Sequence, residues 1–122
     1  HGTWAFPGGH LEFGEEFSEG ALRELAEEAG PITTTEPEFW TVANTLCNDN
    51  KHYVLIIMKA DWVSGEAEVM EPNKCFCWEW HSWDDLPSPL LAGNQDLVDR
   101  GLSPLKEKEK VDIRNLSGEY ID

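Results

Sequence analysis

The sequence predicts an α/β fold of the α+β kind, on three observations. A helical pattern at residues 17–29 follows a glycine-rich loop, and two strand patterns come next, at residues 38–46 and 52–63. A second helical pattern closes the ordered part at residues 90–100.

Each element has its own signal. Residues 3–7 form an extended lead-in or short strand, and residues 8–16 form a loop around Gly8, Gly9 and Gly14. Pro31 and the run Thr33-Thr34-Thr35 end the first helix. Asn48-Asp49-Asn50 marks the turn between the two strands. Tyr53 to Met58 is nearly continuous in apolar residues, the mark of a strand buried on both faces, so it is expected to be central. Residues 64–72 read as an acidic loop and residues 75–83 as a further strand of alternating aromatic and polar residues. The expected organisation is one domain over residues 1–104 and a charged tail over 105–122 containing Lys106-Glu-Lys-Glu-Lys110.

Composition narrows the function. The 122 residues carry 9 basic and 24 acidic side chains, a formal net charge of −15, which excludes nucleic acid polymers as expected partners because phosphate backbones call for basic patches. Polyphosphates would be repelled too unless metals invert the local potential. No apolar run is long enough for a membrane span, and no signal peptide is visible. Cys47, Cys75 and Cys77 are a sparse, odd set that fits reduced thiols in the cytoplasm. His1 is not an initiator methionine, so a native start upstream is expected.

The chemistry lies in the first helix. At about 100° per residue, Glu24 and Glu28 fall within about 40° of each other and Glu27 about 60° to the other side. Leu22, Leu25, Ala26 and Ala29 are expected on the opposite, apolar face. Gly20 lies among the acids, leaving room beside them at a cost of about 1 kcal/mol in helix propensity. A lone stripe of glutamates is usually a solvated face. Here the preceding Gly8-Gly9 turn and Arg23 point instead to oxygen ligation of Mg²⁺, with Mn²⁺ as substitute.

Other residues carry weaker signals. Trp78, Trp80 and Trp83 are read as core packing, the first two sharing a strand face, and Cys75-x-Cys77 as strand alternation. No nucleophile pairs with His10, His52 or His81. Phe6 and His10, on either side of the glycine turn, are candidate substrate contacts.

Gly9, Glu15, Arg23, Glu24, Leu25, Glu27, Glu28 and Gly30 match the box G-x5-E-x7-R-E-U-x-E-E-x-G-U, in which U is bulky and aliphatic; only the last position departs, with Pro31 there and Ile32 one residue late. At roughly 6–7% per residue type, seven fixed identities arise by accident about once in 10⁸ windows. The chain therefore resembles a Nudix hydrolase, with the box at residues 9–31. Pro7 to Glu15, His52-Tyr53-Val54, Met70-Glu71-Pro72, Trp78-Glu79-Trp80 and Leu86-Pro87 look like the MutT-related eukaryotic nucleotide triphosphate diphosphatase branch, which includes plant cytosolic Nudix hydrolases and a human thiopurine-nucleotide diphosphatase.

The resemblance implies a Nudix fold, a mixed β-sheet sandwiched between helices, and Mg²⁺-dependent hydrolysis of a nucleoside triphosphate to monophosphate and pyrophosphate. Oxidised or modified deoxynucleotides fall within that class. It implies Glu24 and Glu28 as main metal ligands, and Glu27 as a further ligand or the group that deprotonates water. A Gly8 carbonyl becomes an added ligand, and Gly9, Glu15, Arg23 and Gly30 become scaffold, with Arg23 paired to Glu15. Three departures accompany it. The box begins almost at the first residue, which implies an N-terminally truncated fold; Asn73 stands where the branch has a distal glutamate that can assist the metal or the base, unless Glu71 substitutes for it; and Leu91-Ala92 replaces an aromatic pair. The alternatives are a non-catalytic nucleotide-binding module and a hydrolase of NADH or dihydroneopterin triphosphate, since the box reads the diphosphate and not the attached group. The expected partner is a small-molecule nucleotide, with a homodimer left open.

Overall fold

The computed structural model describes residues 2–47 and 50–104. The elements run α1 (Phe17–Ala29), β1 (Thr33–Thr34), β2 (Glu38–Cys47), β3 (Lys51–Lys59), β4 (Trp62–Ser64), a 3-10 turn (Trp83–Asp85) and α2 (Ala92–Asp99). The charged tail expected at 105–122 lies outside the described residues.

Helix α1 starts where Glu19 accepts a hydrogen bond from the Glu16 N–H at 3.2 Å, half of a capping box. It stops at Gly30, whose φ of 80° is open to glycine and strained for other residues. Its inward stripe is Gly20, Ala21, Glu24, Leu25, Glu28 and Ala29, while Leu22 and Ala26 are exposed. The expected apolar face is therefore rotated, and two of the three metal-directed glutamates lie on the half-buried side. The packing partners cause this: α1 lies against β2 and β3, the glycine loop reaches Glu28 from Gly8 N, and residues 68–78 reach its last turn through Glu68 N, Met70 N and the Trp78 indole.

Strands β2 and β3 form an antiparallel pair in which Ala43 faces Leu55 and Thr45 faces Tyr53. The register shifts between Phe39 and Thr41, so Trp40 is the extra residue of a bulge. That places its ring edge-on to Trp83, with centroids 5.6 Å apart. Asn50 takes the left-handed conformation at φ 64° where the chain re-enters β3.

Two expectations change here. The strand expected at 52–63 ends at Lys59, because Thr35 and Asp61 exchange bonds (Thr35 N to Asp61 O, 2.8 Å; Asp61 N to Thr35 Oγ1, 2.9 Å) that turn the chain into a second small sheet of β1 and β4. Tyr53 to Met58 is not central either. Among the described residues β3 pairs only with β2, and Val54 is 63% exposed. An unbroken apolar run reports β propensity as well as burial.

Residues 75–83 are irregular up to the 3-10 turn. Their bonds go to side chains and turns, with the Lys74 and Cys75 N–H groups both on Glu71 O at 2.9 Å. Without a ladder, Trp78 and Trp80 do not share a face: Trp78 is half-buried and Trp80 is 73% exposed. Cys75 and Cys77 are free, half-buried thiols.

Helix α2 packs on β2, with Leu97 fully buried and Gly93 against Leu55 and Thr45. The lead-in is pinned to its start by a parallel bridge between Trp4 and Leu90. Trp4 N donates to Pro89 O and Leu91 N to Trp4 O, both at 2.8 Å. Among the described residues no helix is long and apolar enough to cross a membrane.

Candidate metal and diphosphate site

The glycine loop lies over α1 and is fastened to it by Arg23. The guanidinium meets Glu15 through two bonds, Nε to Oε2 at 2.7 Å and Nη2 to Oε1 at 3.1 Å, and also donates to the His10 carbonyl at 2.8 Å. Glu15 accepts from Glu12 N at 2.9 Å. Arg23 and Glu12 together hold the Glu15 carboxyl below its usual range, and Glu15 raises the Arg23 guanidinium in turn. The room left by Gly20 is filled by this loop: a Cβ there would meet Leu11 Cδ1 at 2.8 Å and Glu15 Oε1 at 3.0 Å. That glycine admits the loop rather than a ligand.

Gly9 has a different neighbour. A Cβ on it would lie 2.3 to 2.4 Å from the carboxyl atoms of Glu24. The bare glycine is a cradle for that carboxylate. Glu28 is one turn further along the same helix and feels the charge of Glu24, and its Oε2 accepts the Gly8 N–H at 3.0 Å. Burial, and after it the charges of Glu24 and Glu71, push the Glu28 carboxyl above its usual range against the pull of the Gly8 bond. Glu27 is the outermost of the three, with its side chain 54% exposed.

The structure thus brings Gly8, Gly9, Glu24 and Glu28 together, with Glu27 at the rim. Arg23 Nη1 reaches Glu24 at 2.8 Å and Glu27 at 3.2 Å. Among the described residues no three acidic, histidine or cysteine side chains converge as a ready metal cage. The donor set nevertheless fits a hard cation: two carboxylates one helical turn apart meet a glycine turn.

Glu71, the residue that could stand in for the distal glutamate, acts on Glu28 through its charge. One residue that sequence reasoning placed elsewhere also belongs here: Trp78, read as core, donates its indole N–H to the Glu28 carbonyl at 3.0 Å. Nothing in its local pattern marks a contact that spans 50 residues. Asn73 has no described contact with the box.

The candidate substrate contacts separate. Phe6 stacks on Trp83 at 5.7 Å, and its N–H donates to Asn94 Oδ1 at 3.0 Å. His10 is exposed and stacks on Tyr53 at 6.3 Å. Ala92 lines a polar hollow of about 250 Å³ with Thr45, Asp96 and Asp99, away from the box helix.

The sequence profile of the NUDIX domain matches residues 1–101. The chain belongs to the Nudix family. A relative described as "Uncharacterized Nudix hydrolase YvcI", from Bacillus subtilis (strain 168), is 29% identical over 104 residues, which cover 80% of this chain and 63% of the relative. The chain thus spans a little under two thirds of that relative's length. Helix α1, with Glu24, Glu27 and Glu28, and the Gly8-Gly9 turn both lie within the matched residues.

Proposed function

We propose that this Nudix protein hydrolyses nucleoside triphosphates to monophosphate and pyrophosphate in an Mg²⁺-dependent reaction, and that modified nucleotides of the pool are its substrate class. The observation that carries this reading is the pairing of Glu24 and Glu28 under the Gly8-Gly9 turn. Glu24 and Glu28 would hold the metal together with the Gly8 carbonyl, and Glu27 would take the second of its two expected roles, acting on the water rather than as a ligand. Bound magnesium supplies positive charge to the phosphate oxygens and lowers the pKa of water.

The chain's own residues do the rest. Glu27, at the solvent rim, orients and deprotonates the attacking water. A bond forms between the water oxygen and the α-phosphorus, the bridging bond to the β-phosphate breaks, and pyrophosphate leaves. Arg23 and Glu15 hold the loop that carries the turn. Glu71, outside the helix but beside Glu28, adds negative charge where a cation is needed. The MutT-related branch accounts for the matches beyond the box and makes cytoplasmic nucleotide housekeeping the setting.

A second reading, a nucleotide-binding module without turnover, draws support from the grip of Arg23 on Glu24 and Glu27, which competes with ligation. Pyrophosphate and phosphate release tests both. Canonical, oxidised and thiolated deoxynucleoside triphosphates, NADH and dihydroneopterin triphosphate are each assayed with and without Mg²⁺. Metal-dependent release of pyrophosphate is expected from the triphosphates. Turnover of NADH or the pterin alone reassigns the substrate, and turnover of none with retained metal binding moves the protein to the binding module.

A further inference from the structure

A helix leaves its last four carbonyls without intrahelical donors. In α1 these lie in the turn that carries Glu27 and Glu28. Ala26 O accepts from Gly30 N at 3.2 Å and Ala29 O from Glu68 N at 2.8 Å. Glu28 O is approached by Met70 N at 3.4 Å, beyond the usual range for such a bond, and by Trp78 Nε1 at 3.0 Å, within it. The indole is the principal donor to that carbonyl. At its other end Glu28 is fixed by the Gly8 N–H on Oε2.

We propose that Trp78 is a positioning residue for the metal site: its indole N–H clamps the Glu28 main chain so that the carboxylate stays beside Glu24 and Gly8. This rests on the metal-dependent reading above. Without the clamp the Glu28 carbonyl keeps only the long Met70 contact, while Glu68 N and Gly30 N still hold the neighbouring carbonyls. Glu28, half-buried and repelled by Glu24, then loses its main-chain anchor, and its carboxylate is less firmly fixed beside Gly8. Trp80 on the same segment stands 73% exposed and gives the helix no described bond, which makes it the control.

The test replaces Trp78 by 3-benzothienylalanine, which keeps the ring shape and removes the N–H donor, and also makes Trp78→Phe and Trp80→Phe. Mn²⁺ binding to the full chain is followed by electron paramagnetic resonance without nucleotide, together with thermal melting. Loss of one such bond is expected to weaken Mn²⁺ binding about five- to tenfold in the benzothienyl and Trp78→Phe proteins. Trp80→Phe should bind as the unaltered chain does. In turnover assays the Mg²⁺ concentration for half-maximal rate should rise, with nucleotide KM at saturating Mg²⁺ unchanged. If melting falls in the benzothienyl protein but Mn²⁺ affinity stays within about twofold of wild type, Trp78 is packing only and the proposal is overturned. If the unaltered chain takes up no Mn²⁺, the metal reading fails and the positioning role goes with it.

Discussion

The main-chain N–H of Gly8 donates to Oε2 of Glu28 across 3.0 Å, joining the glycine turn to a helix residue 20 positions later. Turn and helix therefore hold one carboxylate in common, and what disturbs either is felt at the other.

Glu28→Gln separates stability from function. A carboxyl whose folded pKa is raised carries no cost below its ordinary value of 4.5, where folded and unfolded chains are both protonated, and a growing cost as pH climbs from there through the raised value. The variant, measured without metal, is expected to melt higher than wild type at neutral pH, with the difference vanishing below pH 4.5. Mg²⁺ should stabilise wild type and leave the variant unmoved. Equal melting at every pH would remove the electrostatic account of Glu28.

Glu15 has the opposite sign. Its lowered pKa gives stability that is present above 4.5 and is lost as pH falls through the lowered value. Glu15→Gln should therefore lower the melting temperature at neutral pH and converge with wild type in acid. Arg23→Lys, which keeps the charge but loses the paired geometry, should speed amide exchange of the loop from His10 to Glu15; unchanged exchange there would show that the loop does not depend on the guanidinium fork.

Gly9→Ala places a methyl group on the Glu24 carboxylate. With Glu24 displaced by about an ångström, turnover should fall roughly 10²-fold while the fold survives. Circular dichroism and steady-state rates check this together.

Gly65→Ala acts on stability alone. Its φ is 92°, and a Cβ would meet the Pro31 carbonyl oxygen at 2.1 Å. A loss of at least about 1–2 kcal/mol is expected from the backbone conformation, read by urea unfolding, with no change in Mn²⁺ affinity.

The box was legible because its chemistry is local. Glu24 and Glu28 share a face by helical period alone, and Arg23 reaches Glu15 across one loop. The end of α1 carried the Pro31 and Thr33-Thr34-Thr35 signals, which need no tertiary partner. Failures came where a partner decides: Tyr53 to Met58 is apolar whether its strand is central or at an edge, and residues 75–83 alternate without a neighbouring strand to pair with. Leu22 and Ala26 face solvent because the loop and the 68–78 segment choose which side of α1 is covered. Trp78 reaches the Glu28 carbonyl through a chain path that no spacing reveals.

Arg23 touches Glu12, Glu15, Glu24 and Glu27 through one guanidinium. The acids of the box thus already have an internal counterion. On the proposed metal-dependent reading a divalent ion would have to take the place of Arg23 at Glu24, while the two Glu15 bonds would keep the arginine in the loop. Uptake would then depend on the difference between two attractions rather than on the strength of one.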